Sequence, residues 1–160
     1  MKTIGLILVF CFPVILGLEA RRYMKMGLEN IKETLNFMIF IREEIRFSCR
    51  EISEIFAIAK AERKINAEIV SSFVKAFFEK EDNEKQLKNL NFNRSEIELS
   101  KSFFKGLGTN DINSQVRHCD YYIGQMAEKI NERNKDFLNK SKVYLGISFA
   151  AALTLVIVLS

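Results

Sequence analysis

His118 is the only histidine in the 160 residues, set between Arg117 and Cys119. A histidine-based metal centre or catalytic triad needs partners from elsewhere in the chain, so His118 reads as a satisfied packing or surface residue of a helix. Cys11, Cys49 and Cys119 are an odd number with no paired spacing, each among apolar neighbours. They read as reduced, packed thiols, which suits a cytoplasmic soluble region. Glu43 and Glu44 are adjacent, so on a helix they point about 100° apart and suit a solvated face rather than an acid–base pair. Gly106-Leu107-Gly108 begins like a phosphate loop. No third glycine and no Gly-Lys-Ser/Thr follows, however, and a helix precedes it where a strand is needed. It reads as a helix stop, where glycine takes positive φ at little cost. The expectation is no enzyme, no cofactor, no metal and no small-molecule substrate.

Charge and composition narrow the class. The net charge is +4, with both signs interleaved in Arg42-Glu43-Glu44, Glu62-Arg63-Lys64 and Glu79-Lys80-Glu81-Asp82. Interleaving makes solvated helix faces with local ion pairs, not a field that holds a phosphate backbone, so nucleic acid is not an expected partner. One proline and seven glycines leave little turn chemistry for hairpins. The fold expected is all-α: a membrane-anchored bundle of about six helices between two transmembrane helices.

The elements that position any site begin with the last third, Thr109 to Leu159. Ile112, Val116, Cys119, Ile123, Met126, Ile130 and Phe137 recur in steps of three and four, with one polar slot at Arg133. That is the stripe of an amphipathic helix. From Val143 to Leu159 the polar face disappears, as in a helix passing from water into lipid. Movement imposed on the soluble part would reach the bilayer along this helix unless it breaks near Gly124 or Ser141.

Ile4 to Leu18 is a second uncharged run, followed by Glu19 and Arg21-Arg22. Fifteen residues are few for a span, so a cleaved signal competes with an anchor. Leu18 or Ile15 would occupy the small-residue position before a cut, and Phe10 precedes Cys11 where a lipoprotein signal needs a small residue. A retained anchor with Pro13 inside it is the better reading. Lys140 and Lys142 before the second span, and Arg21, Arg22 and Lys25 after the first, place the middle in the cytoplasm and both termini outside. The domains expected are a membrane helix over 1–20, a cytoplasmic helical domain over 21–142 and a membrane helix over 143–160. Gly146, Ala150 and Thr154 repeat every fourth residue. Small residues at that spacing let a helix approach closely, the candidates being the first span, a second copy or another protein.

Within the middle, Leu28, Ile31, Leu35, Met38, Ile45, Cys49, Ile52 and Phe56 form a helical stripe interrupted by Arg42. Ser48-Cys49-Arg50-Glu51 has the pattern of a capping box and predicts a turn near Phe47 to Ser48. Asn66 is placed to cap a helix whose face is Ile69, Val70, Phe73, Val74, Phe77 and Phe78, with the aromatics as core. Residues 82–93, rich in asparagine, suit loops around a short helical turn at Gln86 to Leu90. Asn93-Arg94-Ser95-Glu96 is a second box-like start, opening a helix that ends at Gly106-Leu107-Gly108. Thr109 or Asp111 then starts the final helix.

With these motifs placed, the chain resembles the stage III sporulation protein AB family over nearly its full length. Leu107-Gly108-Thr109-Asn110-Asp111 followed by Gln115 looks like that family's Leu-Gly-x-x-Asp-x-x-x-Gln signature at the start of the last cytoplasmic helix. Glu44-Ile45-Arg46-Phe47-Ser48 and Tyr144-Leu145-Gly146 resemble weaker family segments. The chain lacks the family's frequent proline after the turn and its frequent tryptophan. The resemblance implies a body similar to the six-helix cytoplasmic domain of secretion-system F platform proteins. It also implies a mother-cell membrane protein of the complex joining mother cell and engulfed forespore, with a secretion-type ATPase and other membrane components of the sporulation channel as partners. Leu107, Gly108, Asp111 and Gln115 then carry over as a structural or docking motif. Asp111 and Gln115, one turn apart, could alternatively bond the open N–H groups at the helix start. A membrane-anchored adaptor or sensor, and a platform protein of a type II secretion or pilus-like system, are the other readings. The latter usually carries two copies of such a body.

Overall fold

The computed structural model describes residues 2–48, 50–61, 65–77, 83–108 and 111–159, with 2–9, 83, 84 and 159 described by backbone alone. Six helices follow in order: α1 (Lys2–Ser48), α2 (Ile52–Ala61), α3 (Ala67–Phe77), α4 (Asn83–Asn89), α5 (Arg94–Lys105) and α6 (Ile112–Leu159). Among the described residues there is no strand. The chain packs as two units, one of residues 27–131 and one of residues 1–26 with 132–160.

The 27–131 unit is built on a one-sided α1. Leu28, Ile31, Thr34, Phe37, Met38, Ile41 and Ile45 are buried, spaced by three and four as helical geometry demands. Thr34 belongs to this stripe although its side chain is polar, because its hydroxyl donates to the Asn30 carbonyl oxygen at 2.9 Å. That bond within its own helix removes the penalty of burying an unpaired hydroxyl. Leu35, expected on the stripe, is only half-buried, and Phe37 and Ile41 take the inner positions instead. Arg42 interrupts the apolar pattern to pair with Glu43 and, at 2.9 Å, with Asp120 of α6.

The helix ends obey local chemistry. Asn66 caps α3, its side chain accepting from the Glu68 N–H at 2.9 Å. Asn93 caps α5 in a reciprocal box: it accepts from the Glu96 N–H at 2.9 Å while the Glu96 carboxylate accepts from the Asn93 N–H at 2.7 Å. The expected start at Ser48 moves. Ser48 is the last residue of α1, and the Ile55 N–H donates to the Glu51 carbonyl at 3.1 Å, so Glu51 holds the capping position of α2. Cys49, inside that expected box, lies outside the described residues, as do Phe78, Thr109 and Asn110. The short helix expected near Gln86 is α4.

Aromatic rings fill the centre. Phe104 of α5 lies 4.6 Å from Phe73, 4.7 Å from Phe77, 5.8 Å from Phe56 and 6.1 Å from Phe37, ring centroid to centroid. Four helices thus meet at one side chain. Rings at these separations add about 0.5–1.5 kcal/mol per pair beyond simple burial.

In the other unit, the apolar side chains face outward. Phe12, Ile15, Leu16, Val143, Ile147, Leu153, Ile157 and Val158 are all exposed. Among the described residues, one helix is long and apolar enough to cross a membrane, over Ile112–Val158. It runs without a break through Gly124 and Ser141. In the first apolar run, residues 4–9 are described by backbone alone. Gly17 of α1 packs against α6: a Cβ there would fall 2.1 Å from the Ser148 Oγ and 3.5 Å from the Tyr144 carbonyl oxygen. On α6, Ser141 and Ala152 are buried, while Gly146, Ala150 and Thr154 are exposed and a Cβ on Gly146 would meet nothing within 4 Å. Helical spacing puts 141, 145, 148 and 152 on one face and 146, 150 and 154 well round from it. The small residues singled out in the sequence therefore do not meet α1.

Candidate functional site

The turn between α5 and α6 gathers the motif residues. α5 stops at Gly106, whose N–H points back to the Phe103 and Phe104 carbonyls with φ −87°. Helical φ does not require glycine there; space does. A Cβ on Gly106 would lie 2.1 Å from the Cε1 of His118. The imidazole is half-buried, 4.7 Å from the Tyr122 ring by centroid, with Nε2 2.8 Å from the Phe103 carbonyl oxygen. A carbonyl only accepts, so Nε2 carries the proton in this contact. His118 thus locks the start of α6 to the end of α5.

Gly108 is the residue that needs positive φ, at +75°, where a side chain would be strained. Its N–H donates to the Gln115 Oε1 at 3.1 Å. Asp111 caps α6: its carboxylate accepts from the Ser114 N–H at 3.1 Å, and its carbonyl from the Gln115 N–H at 2.9 Å. Hydrogen bonds from Ser114, first its hydroxyl and then its N–H, hold the Asp111 carboxyl below the usual carboxylate range. Gln115 reaches back to the turn through the Gly108 N–H. Along the path from α5 into α6, Gly108 is thus bonded to Gln115 and Asp111 to Ser114 and Gln115, with Leu107 beside them.

That path borders two hollows. The larger, about 570 Å³, is lined by Ile52, Phe56, Phe77, Lys101, Phe104, Lys105, Leu107 and Gly108. The second, about 380 Å³, is lined by Ile45, Arg50, Glu51, Ile52, Gly108, Ile112 and Gln115. They share Ile52 and Gly108, and a Cβ on Gly108 would touch the Ile52 Cγ1 at 3.5 Å. The lining residues outside the motif escape sequence reasoning. Lys101, Phe104 and Lys105 are spaced for one side of α5, but nothing in the sequence says that this side overlooks an open floor.

Other candidate groups are placed elsewhere. Cys119 is buried, and burial pushes its thiol up from 9.0 to about 11. Cys11 is exposed. Among the described residues, no cluster of three or more His, Cys, Asp or Glu side chains is arranged to hold a metal.

These features define an all-α chain with a helix long enough for a membrane and a helical unit whose last turn frames an apolar hollow. Its sequence matches the family model described as stage III sporulation protein AB over residues 2–160, and the chain belongs to that family. No curated protein and no solved structure matches the chain.

Proposed function

We propose that the protein is a non-catalytic platform component of the secretion-like complex between mother cell and forespore, docking a cytoplasmic secretion-type ATPase. The family supplies the sporulation context. The observation that carries a docking role is the turn Leu107–Gly108, held by Gln115 beside an open apolar hollow in the 27–131 unit. In this reading two membrane helices anchor the chain in the mother-cell membrane around the forespore, with the helical body in the cytoplasm. The basic residues Arg21, Arg22, Lys140 and Lys142 flank the two apolar runs on the same side, as the positive-inside rule requires.

Deleting the gene tests the role: forespores should arrest after engulfment while vegetative growth stays normal. A growth or secretion defect without a sporulation defect would favour a membrane-anchored adaptor or a type II secretion platform. Topology is tested by labelling cysteines placed at Lys2, Asn83 and Ser160. Reagent that cannot cross the membrane should reach the two ends and miss position 83, and the reverse pattern would overturn both topology and docking.

A further inference from the structure

The 570 Å³ hollow combines two features that point to one kind of occupant. Its floor is apolar and aromatic, with Phe104 nearly buried at 8% exposure and Ile52, Phe77 and Leu107 half-buried. Among the described residues, the charged groups in its lining are Lys101 and Lys105, both positive. Lys101 reaches Glu98 only at 3.8 Å, with the carboxylate largely exposed, a kind of pair that holds little. A volume of this size takes several apolar side chains, within the ordinary range of about 300–1,000 Å³ for binding clefts. An anionic bilayer is flat and offers nothing to fill a concave floor, whereas an amphipathic helix offers both an apolar ridge and a charged flank.

We infer that this groove receives an acidic amphipathic helix of a protein partner, its apolar ridge on Ile52, Phe77, Phe104 and Leu107 and its carboxylates on Lys101 and Lys105. The inference deepens the docking role proposed above by giving the partner's contact segment a chemistry. Gly108 lines the groove next to Leu107 at a positive φ that a side chain would strain.

The test uses the full chain in nanodiscs of neutral phosphatidylcholine and a defined probe: a fluorescent helical peptide with leucine at i, i+3, i+4 and i+7 and glutamate elsewhere. A peptide with lysine in place of glutamate is its counterpart. The acidic peptide should bind and the basic one should not. Lys101→Glu with Lys105→Glu should weaken the acidic peptide by about tenfold or more, since like charges then face each other. The glutamine versions at both positions should fall between, and added salt should weaken wild-type binding. Equal binding of both peptides, no binding, or binding unmoved by the charge reversal overturns the groove. So does self-association of the chain that the charge reversal abolishes, which would make a second copy the occupant. Nanodiscs containing phosphatidylserine that block the acidic peptide would assign the groove to lipid and overturn it as well.

Titrating a secretion-type ATPase, the partner class proposed above, separates this inference from the proposed function. If the peptide binds as described and the ATPase does not bind at all, the ATPase reading falls and the groove stands. If the ATPase binds with no competition from the peptide and no loss in the reversed variant, the groove falls and the platform stands.

Discussion

The two units of the chain bury opposite things with the same secondary structure. In residues 27–131, large rings go inward: Phe37, Phe73 and Phe103 are fully buried, and the helix ends are closed by Asn66, Asn93 and Asp111. In residues 1–26 with 132–160, large apolar side chains go outward, and the close contact is made by small ones, Gly17 against Ser148. Water explains the first pattern, since burying apolar area is favourable there. In the two-span membrane setting proposed above, lipid removes that driving force and helices associate through close backbone approach instead.

The largest expected effect therefore separates the units by ring size. Phe104→Ala should lower the stability of the 27–131 unit by about 3–5 kcal/mol, read from urea unfolding of the full chain in micelles. Ile157→Ala, at a residue 73% exposed, should change it by less than about 0.5 kcal/mol. Equal losses would break the comparison.

Gly106→Val comes next, costing about 1–3 kcal/mol because the new side chain collides with the His118 ring. In a His118→Ala background the same substitution should cost clearly less. Additive effects in that double-mutant cycle would show that the ring and the turn do not touch.

Titration sharpens the contrast between exposed caps and buried core. Asp111 has a lowered folded pKa, so its stabilisation is present above the unfolded carboxylate range and is lost as pH falls through the folded value. Asp111→Asn should flatten that acid limb. Cys119 has the opposite sign: its pKa rises from 9.0 to about 11 on folding, so stability should fall as pH climbs from 9.0 toward about 11. Cys119→Ala should remove that alkaline component, checked by the unfolding midpoint across pH.

The smallest effect concerns Ser100, fully buried with no partner for its hydroxyl among the described residues. Ser100→Ala should be neutral or stabilising, by no more than about 1 kcal/mol, measured in the same unfolding assay. A clear loss would mean that the hydroxyl is satisfied.

Local interactions are legible in the residues themselves. The caps at Asn66, Asn93 and Asp111 reach only two or three residues along the chain, so residue type and spacing name the first two and narrow the third to Thr109 or Asp111. The Ser48 box shares that pattern, yet α1 continues to Ser48 and α2 starts after Glu51. Nothing local distinguishes a serine that opens a helix from one that closes the previous helix. The apolar stripes are readable in outline for the same reason: periodicity is local. Thr34 escapes that reading because its hydroxyl is satisfied by Asn30 within its own helix, which lets it sit among apolar neighbours.

What depends on distant residues is settled by the fold. Arg42 meets Asp120 across 78 positions. Gly106 owes its lack of a side chain to His118, a full helical stretch further on, and Gly146, Ala150 and Thr154 of α6 lie on a face turned away from α1. The sequence by itself determined the helices in outline, the caps at Asn66 and Asn93, the apolar run at the end of α6 and the family signature, because each is written in neighbouring residues. Only the tertiary structure decided that Ile52, Phe77, Phe104 and Leu107 share one open floor beneath two lysines, because three helices and a turn must meet before that floor exists.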